Sequence, residues 1–252
     1  MAIYPKVPLS KNAAACLIRA GWTPSRRMDV SVHCQALREE GYRIFPEAKR
    51  FLERFVGLRV TIPAYKLRDR EDFFHLDPRE ASRQVFIEQI RDYEERIGES
   101  LVVIGEAYSN HLALMISETG KILGGFDRFL VMLGEDGWKG MESLYQGVTS
   151  PYIQVIDPTA DMEESLNHSL EIWPVLWCAE MSAVNDALMN GSKLEDLVIS
   201  TLRVKSGEPN KPCYNCRHYL NKSDFVTEYP DRSIPTRLKK KWKKLTKHFA
   251  KS

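Results

Sequence analysis

The chain has 252 residues, 43% of them hydrophobic and 28% charged, which suits one large or two small globular domains with a real buried core. No apolar run approaches the ~18 residues needed to cross a bilayer, and the start MAIYPKVPLSKNAAACLIRAGW lacks the basic, apolar, small-residue order of a signal peptide; neither membrane insertion nor classical secretion is expected. The formal charge of +2 hides an asymmetry, because residues 237–252 (RLKKKWKKLTKHFAKS) hold eight Lys or Arg and no acid, leaving 28 basic against 34 acidic groups before them.

The first part of the chain, residues 1–148, reads as α+β. Cys16 and Cys34 fall in helical apolar patterns. Pro46 opens a helix with Ala48, Phe51, Leu52 and Phe55 on one face, Gly57 ends it, and LRVTI follows as a strand. Asp77 is placed to cap a helix with Pro78 at its first position, and Val85, Phe86, Ile90, Tyr93 and Ile97 predict one long helix running to Gly98. From Leu101, the runs LVVIG, HLALMI and KILGGF predict successive antiparallel strands, the last two joined at Glu118-Thr119-Gly120. No catalytic constellation stands out here. His75 with Asp77, and Glu106 with His111, read as cap, turn or solvated polar residues.

The stretches AGWTPSRRMD, EEGYRIFPEAKRFLERFVGLRV, FHLDPREA, IGESLVVIGEA and LMISETGKIL, in this order, resemble the third subgroup of the SUKH superfamily of immunity proteins. The resemblance implies an α+β protein-binding module that neutralises a toxin by covering a surface or active site. Gly21-Trp22 and Asp77-Pro78 read simply as packing and capping residues.

A hinge is predicted at GVTSP (147–151), opening a second part over residues 149–236. YIQVI supplies one strand. Pro174 then opens a helix with Trp177, Met181, Val184 and Leu188 at helical spacing until Gly191; DLVISTLRV (196–204) is a buried strand, 205–211 a returning loop, and Pro212 starts a second helix. The order predicts an α/β, α-β-α layered module. It places Cys178 and Glu180 near one helix start, with Cys213 and Cys216 on one face of the next.

This pattern matches the chemistry of hydrolytic deamination. A catalytic zinc takes three protein ligands and keeps a fourth position for water, whose pKa it lowers toward neutrality. C-x-E followed by P-C-x-x-C supplies three thiolates and a carboxylate that can carry the proton to departing ammonia. A C-x-x-C also serves structural zinc knuckles and redox dithiols, and Cys16, Cys34, His168 or His218 could close a four-ligand structural site instead. Three of five cysteines in such a site argue against a disulfide framework and for a reducing cytoplasm, with export by a non-classical route still open.

Residues 176–220, with WCAEMSAVNDALMNG, LVISTLRV and KPCYNCRHYL, resemble the YwqJ-like branch of the cytidine-deaminase-like superfamily, found among bacterial polymorphic toxins. The resemblance implies a zinc-dependent deaminase of a nucleobase, in nucleotide or nucleic acid, with Cys178, Cys213 and Cys216 as ligands and Glu180 as general acid/base. The family has a helix and a β-hairpin before its first ligand helix, whereas only residues 150–177 stand in that place here. A second expectation follows: a cytoplasmic immunity protein, binding a toxin through residues 1–148, whose shortened deaminase fold is inactive or a decoy.

In the tail, Leu238, Trp242, Leu245 and Phe249 give a helix with one narrow apolar stripe in a cationic surround. It reads three ways: a docking helix, an arm for DNA or RNA, or a membrane-surface helix.

Overall fold

The computed structural model describes residues 9–147, 150–156, 169–175, 178–203 and 205–226. The basic tail 237–252, hinge residues 148 and 149, His168, Leu176, Trp177 and Val204 lie outside them.

Three helices come first: α1 (Lys11–Arg19), α2 (Ser31–Glu39) and α3 (Pro46–Phe55). Each turns one apolar face inward. Cys16 and Cys34 are both buried, and α3 buries Ala48, Phe51, Leu52 and Phe55, the face its spacing predicts. Trp22 is buried as the packing reading requires, its ring edge-on to Trp138 at 5.6 Å and stacked with Phe55 at 6.3 Å.

The strands β1 (Arg59–Pro63), β2 (Glu71–His75), β3 (Leu101–Ala107), β4 (Leu112–Ser117), β5 (Ile122–Phe126), β6 (Phe129–Gly134) and β7 (Gln154–Val155) form one antiparallel sheet in sequence order. All of β3 and β4 is buried, because helices cover one face and the later chain covers part of the other. β2 and β6 carry no alternation that singles them out. YIQVI does supply a strand, but β7 pairs with β6 and extends the N-terminal sheet. Helix α6 (Gly137–Gln146) closes this part, with Asp136 accepting from the backbone N–H groups of Trp138 and Lys139.

The helix predicted from Asp77 to Gly98 is broken in two. Asp77 caps α4 (Pro78–Ser82), accepting from the N–H groups of Arg79 and Glu80, and α5 (Ile87–Ile97) restarts after Phe86. Between them the Arg83 and Gln84 N–H groups bond three residues back, to Glu80 and Ala81, which tightens and ends the first helix. Phe86 is therefore extended and 44% exposed, where a continuous stripe would have buried it.

The expectation that His75 and Glu106 are cap, turn or solvated residues needs correcting. Both are buried, and His75 Nε2 lies 3.1 Å from Glu106 Oε2. They neighbour each other because β2 pairs with β3, where Gly105 passes so close that a Cβ would sit 1.9 Å from the His75 carbonyl oxygen.

In the second part, α7 (Ala179–Met189), β8 (Val198–Leu202), β9 (Pro209–Asn210), α8 (Tyr214–Tyr219) and β10 (Asp224–Val226) surround a three-stranded sheet in the order β10-β8-β9. β10 runs parallel to β8, and β9 antiparallel to it. Pro174 does not open α7 as predicted: residues 169–174 are non-helical, Val175 accepts an i+3 bond from the Cys178 N–H in a tight 3-10 turn, and α7 begins after Cys178, whose backbone is extended.

Candidate metal centre

Two helix starts and one strand build the centre. Cys178 is the N-cap residue of α7 and Cys213 that of α8, so both sit where unpaired N–H groups and the helix dipole favour a thiolate. Cys216, one turn on, faces the same way as Cys213. The sulfurs of Cys178 and Cys213 are 3.4 Å apart, and those of Cys213 and Cys216 3.6 Å. All three lie within 4.8 Å of one another and are buried. A tetrahedral zinc with Zn–S bonds of about 2.3 Å needs a sulfur–sulfur edge of roughly 3.8 Å, so this donor set could hold such an ion. Among the described residues no fourth His, Cys, Asp or Glu joins the group. Cys16 and Cys34 belong to α1 and α2, and His218 is exposed with its ring edge-on to Tyr219 at 4.8 Å.

The charge within the cluster settles on Cys178. Hydrogen bonds from the thiols of Cys213 and Cys216, helped by Trp173 and Asn215, pull its thiol down to about 3 against the effect of burial. The Cys213 and Cys216 thiols are pushed up, first by their bonds to Cys178.

Glu180, on the first turn of α7, is buried and lines the same cleft as Cys178 and Cys213. Its Oε1 accepts from Thr201 Oγ on β8 at 2.8 Å, which fixes the carboxylate's orientation.

Several supporting residues escape a motif reading. Trp173 is 2% exposed and its Nε1–H reaches Cys178 Sγ at 3.3 Å. Asn215, inside the C-x-x-C, accepts from the Leu170 N–H at 2.7 Å and donates to Ser169 at 2.9 Å, tying the loop before α7 to α8. The buried Glu171 accepts from the Tyr214 N–H at 2.8 Å, at the start of α8. Their only sequence signal is proximity to the cysteines.

The centre is seated on the N-terminal sheet. Trp173 enters an aromatic pocket, edge-on to Phe126 at 5.3 Å and to Tyr108 at 6.1 Å. At the tip of the β3–β4 hairpin, His111 donates through Nε2 to the Lys211 carbonyl at 2.7 Å, two residues before Cys213. Burial lowers the His111 pKa, partly opposed by the negative charge of Glu180 and Cys178. The three preceding residues, Tyr108, Ser109 and Asn110, all have left-handed backbones, with φ of 52°, 55° and 67°. Such non-glycine geometry costs about 1–2 kcal/mol per residue and persists only where surroundings enforce it. Here Asp72 accepts from Ser109 Oγ at 2.9 Å, and the Asn110 carbonyl accepts from Arg203 at 3.0 Å. Arg203 also ion-pairs with the buried Glu106, while Lys205 reaches Glu40 at 2.7 Å and the Ser82 carbonyl at 2.8 Å. In the second metal-like grouping, His75, Glu80 and Glu106, the Glu106 carboxylate is already engaged by Arg203 and His75.

The family model for the SUKH-3 immunity protein matches residues 9–147, more than half of the chain. The chain belongs to the SUKH-3 immunity protein family. The match spans α1 to α6 of the SUKH-3 module and stops before the cysteine centre. No curated protein and no solved structure matches the chain. Among the described residues, no helix is long and apolar enough to cross a membrane.

Proposed function

We propose that the protein acts as an immunity protein, its N-terminal module binding a toxin partner. Membership of the SUKH-3 family carries this reading. A second reading is favoured by a separate observation: three thiols converge, and two of them, Cys178 and Cys213, line one cleft with Glu180. On that reading Cys178, Cys213 and Cys216 hold zinc, and the centre hydrolyses the exocyclic amine of a nucleobase. The bound ion would supply a hydroxide at neutral pH. Glu180 takes the proton released by water and delivers it to the amine, so that water enters, ammonia leaves and a C–N bond is replaced by C=O. Thr201 holds one carboxylate oxygen and leaves the other for this transfer. Trp173 and Asn215 orient Cys178.

One experiment separates the two readings. Wild type and Glu180→Gln are each expressed in bacterial cells, alone and beside a panel of polymorphic-toxin domains. Equal protection by both forms against one toxin supports the immunity reading, and no protection against any counts against it. Base-transition mutations produced by the wild type and abolished in Glu180→Gln support the deaminase reading; an unchanged mutation spectrum counts against it.

A further inference from the structure

The cleft beside the cysteines has a volume of about 860 Å³, within the range of small-molecule sites, and half of its lining comes from the immunity module. Among the described residues, the second part of the chain supplies only the other half of that lining. The α4–α5 segment, the end of β5 and the β5–β6 turn supply further wall.

Two properties of that wall bear on what enters. The first is charge. Six charged residues line the cleft: Glu106, Asp127, Arg128, Glu180, Asp186 and Arg203. Glu106 and Arg203 neutralise each other, leaving Arg128 alone against three carboxylates, and a zinc ion with three thiolates would add a net charge of about −1. A polyphosphate or nucleic-acid strand requires the reverse balance. The second is a partly exposed aromatic face. Phe86 is 44% exposed and lines the cleft because the break between α4 and α5 turns it outward. A flat apolar ring lining a net-acidic, largely apolar cleft suits stacking of a base.

Building on the deaminase reading, we infer that the cleft binds an uncharged nucleoside or free base, stacked on Phe86 of the immunity module, and rejects nucleotides and polymers. The module then acts in cis as the specificity wall of the centre.

The test uses the full chain carrying Glu180→Gln, so that bound substrate is not consumed. Calorimetry measures affinity for cytidine, adenosine, CTP, ATP and a single-stranded oligonucleotide, and zinc content is measured on the same samples. A nucleoside should bind at least about tenfold more tightly than its triphosphate or the oligonucleotide. Phe86→Ala, at an exposed site, should weaken nucleoside binding about tenfold with zinc content unchanged. Asp186→Lys, on the exposed face of α7, should narrow the gap between nucleoside and triphosphate. Tighter binding of the oligonucleotide, no nucleoside binding, or full affinity in Phe86→Ala would each overturn the inference while bound zinc left the deaminase reading in place. Protein free of zinc would strike that reading instead.

Discussion

Arg203→Met tests whether the two parts of the chain are packed as one body. Glu106 is buried between them, its Oε2 3.1 Å from His75 Nε2 and its Oε1 against the Arg203 guanidinium. The side chains of the pair are 9% and 3% exposed, so water cannot replace the lost partner. Removing one member of a buried pair strands the other charge and costs about 3–5 kcal/mol, a large share of the ~5–15 kcal/mol that usually stabilises a domain. Methionine keeps the apolar stem of arginine, so the loss reports charge more than packing. The comparison is Lys205→Met: the Lys205–Glu40 pair is 24% and 39% exposed and should cost about 1 kcal/mol or less. Urea unfolding followed by circular dichroism should move the midpoint by more than about 1 M for Arg203→Met and by much less for Lys205→Met. Adding Glu106→Gln to Arg203→Met should recover part of the loss, because the stranded charge is gone. Equal, small effects of Arg203→Met and Lys205→Met would mean that the junction is wet and the docking described here is wrong.

Three other outcomes are expected. Trp173→Phe keeps a ring against Tyr108 and Phe126 but deletes the N–H that reaches Cys178, so zinc affinity by chelator competition should fall about 10–100-fold, and an unchanged value would deny Trp173 a role in holding the ligand. Gly105→Ala would drive a methyl group to 1.9 Å from the His75 carbonyl, backbone against backbone, and should destabilise by more than about 4 kcal/mol in thermal unfolding. For Glu99, burial raises the pKa, but hydrogen bonds from Lys121, Thr119 and Ser117 outweigh it and hold the carboxyl down to about 2. Its folded pKa lies below its unfolded value, so its contribution is present above the ordinary carboxylate range and lost as pH falls through that range toward 2; Glu99→Gln should flatten the fall in stability over that window, and an unaltered acid profile would refute the assignment.

What could be read from the chain depended on sequence distance. The placing of Cys213 and Cys216 on one helix was legible because Pro212 stands just before its start. The same holds for α3 behind Pro46 and for the cap at Asp77. The helix of Glu180, by contrast, begins after Cys178 and not at Pro174, the proline expected to open it. Val85 and Phe86 misled because their spacing continues a helical stripe, whereas the backbone bonds of Arg83 and Gln84 end the helix before them. EDFFH hid β2, being short and charged at its start. Seating of the centre on the sheet was invisible: Arg203 meets Glu106 across 97 residues and His111 meets Lys211 across 100, and no local pattern encodes such pairs. Burial of His75 and Glu106 was misjudged for the same reason, since only the β2–β3 pairing and Arg203 make it tolerable.

The hairpin tip at Tyr108–His111 also sets a timetable. Ribosomes deliver this chain from its N-terminus at about 5–20 residues per second, so the 100 residues between His111 and Lys211 take roughly 5–20 seconds to emerge. By then all seven strands of the sheet, β7 included, have emerged, and its clasp is waiting. Cys213 and Cys216 are translated last of the centre's parts and land on a finished scaffold, so the thiols are born beside the immunity fold that shelters them.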